Sequence, residues 1–152
     1  MSTTPTLSVP ELYSFTLLET DTIESLRDDL GMSKFNNIRF TTQNFGMSRA
    51  IHPLRGGFLH MEGEYSHLDA LNAVADLVQS TGRRFRLGTP LEALVFKKSG
   101  NSHPPYWAVL SKVYGKAPAR EVLLWDCAVC FYLSLYTGRM SPLYEVFIVE
   151  EL

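Results

Sequence analysis

Read as a string of apolar and polar positions, the chain breaks into short periodic runs separated by Gly, Pro and Ser/Thr punctuation. ELYSFTLLE (11–19) is rich in aromatic and β-favouring residues and predicts a first strand. TIESLRDDL (22–30) sets Ile23, Leu26 and Leu30 on one helical face ahead of Gly31, which predicts a short helix. NIRFTTQNF (37–45) alternates Ile38, Phe40 and Thr42 in the manner of a half-buried strand.

The strongest helical signal follows. Ser66, with Asp69 three residues later, is close to a capping box, and Leu68, Leu71, Val74, Ala75 and Val78 fall on one stripe. A helix is predicted over 67–80, closed by Gly82. RRFRL predicts a short strand. Thr89-Pro90-Leu91-Glu92 repeats the grammar of a helix start, with Thr as cap and Pro in the first turn, so a second helix should run to about Lys98 and end at Gly100.

Asn101 to Pro105 contains two prolines and reads as a loop, and 106–114 as a strand. The long apolar run 119–137 ends at Gly138; its length favours a buried helix, and its aromatic and β-branched content equally suits a strand followed by a helix. The terminal LYEVFIVEEL reads as a strand. Elements of both kinds are mixed without a strict βαβ rhythm, which predicts the α+β class: a mixed or antiparallel sheet with helices packed on one face.

At 152 residues and 45% apolar, the chain is the size of one domain and holds enough hydrocarbon for a core. Residues 1–8, rich in Ser, Thr and Pro, are expected to be a flexible lead-in to a single domain over 9–152. No basic, then apolar, secretory signal opens the chain, and the run Val122–Leu135 is interrupted by Asp126 and Ser134 and too short to cross a bilayer. These features predict a soluble, cytoplasmic protein. No cofactor and no metal is implied.

Charge is unevenly spread. Residues 1–80 hold five Lys/Arg against ten Asp/Glu; residues 81–120 hold eight against Glu92 alone; residues 121–152 hold Arg139 against five acids. The middle block, at +7, predicts a basic binding surface built from Arg83, Arg84, Arg86, Lys97, Lys98, Trp107 and Lys112. The leading functional expectation is a non-catalytic binding protein of the inhibitor, immunity or adaptor type, docking an acidic protein surface. A nucleotide or single-stranded nucleic acid, stacked on Tyr106 and Trp107, is the alternative occupant. Against both stands a plainer reading: the rings are core and the acidic flanks pair with the block.

Three local patterns carry chemical potential. HMEGEYSH (60–67) brackets two carboxylates with two histidines. On a strand over 58–64, His60, Glu62 and Glu64 would share one face. That alternation describes a half-exposed strand, and no metal-ligand spacing such as His-Glu-x-x-His is present. Arg55-Gly56-Gly57 reads as a turn, or as a backbone nest for an anion.

Cys127 and Cys130 lie in the apolar run and are expected to be buried core thiols, with zinc ligation or redox pairing as alternatives. Asp126, inside the same run, requires a partner. The stretch WDCAVCFYLSLYTG resembles the nucleophile helix of NlpC/P60-type cysteine peptidases, where Asp-Cys opens a helix. The resemblance covers fourteen residues and implies Cys127 as nucleophile, on a helix N-terminus that would lower its pKa. This chain has no histidine after His103, so the base would have to come from upstream, from His103 or His60, or from His52 or His67.

Overall fold

The computed structural model describes residues 9–30, 53–110, 121–128, 130–135 and 138–152. Among these residues seven strands form a single mixed sheet, and three helices pack against it. The elements are β1 (Tyr13–Thr16), α1 (Ile23–Asp29), β2 (Pro53–Leu59), α2 (His67–Thr81), β3 (Phe85–Leu87), α3 (Pro90–Lys98), β4 (Tyr106–Val109), β5 (Glu121–Asp126), β6 (Cys130–Leu135) and β7 (Glu145–Glu151). The α+β class expected from the sequence is the class observed. The expected flexible lead-in (1–8) and strand (37–45) lie outside the described residues.

The helices begin where their caps dictate. The Thr22 side chain accepts from the Ser25 N–H at the start of α1. Ser66 and Asp69 form a reciprocal capping box on α2, and Gly82 ends it at φ 69°, a conformation that costs glycine nothing. Thr89 and Glu92 form the same box on α3, with Pro90 in the first turn. The face α2 buries is Ala70, Val74 and Leu77, while Leu68 is 64% exposed and Leu71 44%. The helix is therefore rotated from the stripe its apolar residues suggest.

The sheet runs β1-β2-β7-β4-β5-β6, and β3 also pairs with β7. Strand β7 is the hub. One edge pairs antiparallel with β2 from Leu54↔Glu151 to Leu59↔Val146. The other edge is shared: β3 takes its C-terminal half, antiparallel, at Phe85↔Glu150 to Leu87↔Ile148, and β4 pairs in parallel at Trp107↔Glu145 and Ala108↔Val146. With neighbours on both edges and layers on both faces, Val146 to Val149 read as a continuous apolar run and are fully buried.

Alternation along the strands sorts side chains into two cores. Phe15, Leu54, Phe96, Trp107, Leu123, Trp125, Phe131 and Phe147 form one, with Ile23 of α1 and Leu91 and Leu94 of α3. Ala108, Leu124, Val146 and Ile148 face the other way onto Ala70, Val74 and Leu77 of α2. The expectation that the helices pack on one face holds for α1 and α3 only; α2 covers the opposite face, because Ala70, Val74 and Leu77 pack on the side chains that point the other way from the sheet. Both faces of the sheet are buried.

The first core is aromatic, with Trp107 edge-on to Phe58 and Phe131 at centroid distances of 4.8 and 4.9 Å. Two glycines allow this crowding. A Cβ on Gly56 would lie 2.7 Å from the Phe96 ring, and one on Gly88 would lie 2.2 Å from the Phe147 ring. Gly56 and Gly57 are thus interior strand residues of β2, correcting the expectation that Arg55-Gly56-Gly57 is a turn or an anion nest. The space their missing side chains leave is filled by rings and by the Glu11 backbone.

Within the apolar run 119–137, the described residues form neither one helix nor a strand followed by a helix. Residues 121–126 and 130–135 pair as an antiparallel hairpin, with Trp125↔Phe131 and Asp126↔Cys130 as its last pairs before the turn. Leu123 and Trp125 enter one core, Val122 and Leu124 the other, so burial on both faces erases the period-2 signal. Asp126 makes the turn: its Oδ1 accepts from the Ala128 N–H at 2.9 Å, the local hydrogen bond by which aspartate replaces a backbone partner.

Candidate functional site

The histidine–carboxylate octet does not form a strand face. Strand β2 stops at Leu59, and His60, Glu62 and Glu64 are exposed in the connection that follows. Tyr65 pairs with Met140 as an isolated bridge, and His67 opens α2. Among the described residues, no group of three or more His, Cys, Asp or Glu side chains is placed to hold a metal ion.

The basic block is largely consumed inside the fold. Arg83 reaches buried Glu150 with two hydrogen bonds, at 2.6 and 2.7 Å, and its guanidinium lies 5.1 Å from the Phe85 ring centroid. The Arg83 hydrogen bonds hold the Glu150 carboxyl below its ordinary pKa, against the opposing effect of burial. Arg86 is bidentate to Glu92, at 2.7 and 2.6 Å, and also reaches Glu151 at 2.8 Å. Lys98 pairs with Asp29 at 2.8 Å. Lys97 sits 4.9 Å from the Trp125 ring centroid.

The cations expected to face one partner are thereby divided among several internal ones. Trp107 is 0% exposed and offers no surface to a stacked base. Arg84 is exposed, and Lys112 lies outside the described residues. Glu150, Glu151 and Asp29 come from the acidic flanks, so the plainer charge reading describes Arg83, Arg86 and Lys98.

Cys127 corrects another expectation. It occupies the β5–β6 turn and is exposed, rather than buried in the core. Its N–H donates to the Pro105 carbonyl at 3.0 Å, and the neighbourhood of its side chain raises the pKa of the Tyr106 phenol. No helix begins at Cys127, so the dipole that would activate a peptidase nucleophile is absent from this turn. His103, the proposed upstream base, packs instead against Trp125 and Trp107, at centroid distances of 5.1 and 5.8 Å.

His103 belongs to a different feature. A groove of about 450 Å3 opens at one end of the aromatic face of the sheet. Pro10, Glu11 and Tyr13 line one wall, from the lead-in and first residue of β1; Phe58 comes from β2; Ser102, His103 and Pro104 come from the loop before β4; Glu145 comes from the first position of β7. The register explains the convergence. Tyr13 pairs with Gly56 two residues from Phe58, and Glu145 pairs with Trp107 beside the loop.

The chemistry of the groove is mixed. Phe58 and Tyr13 are partly exposed rings continuous with the core. The His103 Nδ1–H donates to the Pro104 carbonyl at 2.9 Å, which leaves Nε2 as the acceptor of the neutral ring. Partial burial lowers the His103 pKa against the opposing Pro104 hydrogen bond, and the nearby Lys97 charge lowers it further, so the neutral ring predominates at pH 7. Glu11 is exposed and Glu145 partly buried, and neither carboxylate has an ion-pair partner among the described residues.

Of these residues the sequence singled out only His103. Glu11, Tyr13, Phe58 and Glu145 sit in unrelated stretches, and sheet register alone brings them together. Comparisons with protein-family models, curated proteins and solved structures find no match for this chain.

Proposed function

We propose that the protein is a non-catalytic binding protein, of the inhibitor, immunity or adaptor type, and that its recognition site is the groove between the start of β1 and the loop before β4. One observation carries the reading. Two carboxylates without ion-pair partners among the described residues, a neutral imidazole and two partly exposed rings converge in one concavity. Concave sites with an apolar floor and a few convergent polar groups are where proteins bind.

Site-directed photocrosslinking tests it. In a Cys127→Ser background, a benzophenone on Ser102→Cys should capture a partner from the native host extract, and Glu145→Lys should abolish the capture. The same label on Asn72→Cys, exposed on α2 across the sheet, should not capture it. Equal capture from both positions would refute the assignment.

A second reading keeps the acidic partner. It is favoured by Arg84, which is exposed and has no ion pair among the described residues, and by Lys97 on the Trp125 ring. Reversing both charges should slow association with an acidic partner, and the loss should shrink as salt rises. A salt-independent interaction excludes this reading.

A further inference from the structure

We infer that the groove receives the side chain of an arginine or lysine presented by a protein partner. The inference rests on the binding reading above and adds the chemistry of what is bound. Glu11 and Glu145 supply two negative charges, and neither has a counter-ion among the described residues. Inside the fold carboxylates are matched: Glu150 by Arg83 and Glu92 by Arg86. Glu62, Glu64 and Asp76 also lack an ion pair among the described residues but stand on the exposed surface, whereas Glu11 and Glu145 line one concavity together with rings.

The other walls suit a cation on an apolar stem. Phe58 and Tyr13 present rings for cation–π contact or for stacking of a guanidinium plane. The methylene stem of Arg or Lys packs against such rings while its head stays hydrated. His103 remains neutral at pH 7, so it adds no repulsion, and its Nε2 accepts a hydrogen bond from an N–H donor. Lys97, whose charge also lowers the His103 pKa, is already engaged on Trp125. An anionic ligand would meet both carboxylates with no compensating cation on the groove walls. The groove, at about 450 Å3, holds one long side chain and its flanking backbone.

The experiment is an NMR titration of the folded chain with blocked amino acids, read at the His103 ring. N-acetyl-arginine-N-methylamide should shift the His103 resonances saturably, with a millimolar Kd. The norleucine and glutamate analogues should bind at least tenfold more weakly. Glu145→Gln should weaken the arginine probe fivefold or more, and adding Glu11→Gln should abolish its binding.

If the norleucine or glutamate probe binds as well as arginine, selection of a cation is wrong, while the groove stands as a binding site. If agmatine binds far more tightly than blocked arginine, the site belongs to a free amine and the partner side chain is refuted. If no probe of any charge moves His103, both this inference and the groove reading fall.

Discussion

Glu92 closes the first turn of α3 and at the same time neutralises Arg86. One oxygen, Oε1, accepts from both the Thr89 N–H at 2.9 Å and the Arg86 Nη1 at 2.7 Å, while Oε2 takes the Arg86 Nη2 at 2.6 Å. The residue is only 4% exposed, so this is a buried carboxylate with both of its oxygens engaged. A helix cap and a strand, β3, are thereby fixed to one another through a single side chain.

Removing that carboxylate leaves the Arg86 guanidinium without its main partner and the Thr89 N–H without the Glu92 half of the capping box. Glu92→Ala should cost about 3 kcal/mol or more in urea unfolding, the magnitude for breaking one side of a buried pair. In a double-mutant cycle with Arg86→Ala, the two losses should be clearly less than additive. Additive losses would show that the pair is not coupled.

Gly88 is a packing position. A methyl group there would meet Phe147 at 2.2 Å, and the Gly88 N–H donates to the Phe147 carbonyl at 3.1 Å, so the backbone has no room to retreat. Gly88→Ala should destabilise by about 1–3 kcal/mol, the range for forced overpacking, with a lowered Tm by calorimetry. Gly82→Ala, strained only by its φ of 69° and open on its surface, should cost less, about 1 kcal/mol. The reverse order would contradict the packing account.

The turn position of Cys127 makes its sulfur available. Iodoacetamide should label Cys127 in the native protein, located by peptide mapping, with no change in tryptophan emission because the side chain lies outside both cores. Cys127→Ser should remove that label. Labelling that requires denaturant would mean that the thiol is buried after all.

Acid should loosen the β3–β7 corner. The folded-state pKa of Glu150 is lowered by the Arg83 hydrogen bonds, so its contribution to stability is complete above the ordinary carboxylate value of 4.5 and is lost as pH falls through the lower folded value. Arg83→Met should therefore flatten the acid limb of the stability–pH profile below about pH 5 and leave the neutral region flat, as followed by chemical unfolding at successive pH values. An acid limb of unchanged slope would assign acid sensitivity to other groups.

What the sequence conveyed depended on how local the cause was. The caps of α2 and α3 are written in four consecutive residues each, and Ser66 with Asp69 and Thr89 with Glu92 do what those residues imply. The hairpin of β5 and β6 was hidden because both of its faces are buried, so its apolar run lacks the alternation that distinguishes strand from helix. Only Asp126 marked the turn, and its role there is visible once Ala128 is seen to be its partner. The charge block was legible as charge, but its neutralisation by Glu150, Glu151 and Asp29 depends on pairs 65 to 69 residues apart in sequence. The groove was the least legible feature, since its walls come from the two ends of the described chain and from two stretches between.

Strand β7 has one further consequence. It follows β2, β3 and β4 in chain order and is the strand to which all three bind. On the ribosome β2, β3 and β4 emerge before the template that joins them, so their union into one sheet waits until residues 145–151 have cleared the exit tunnel.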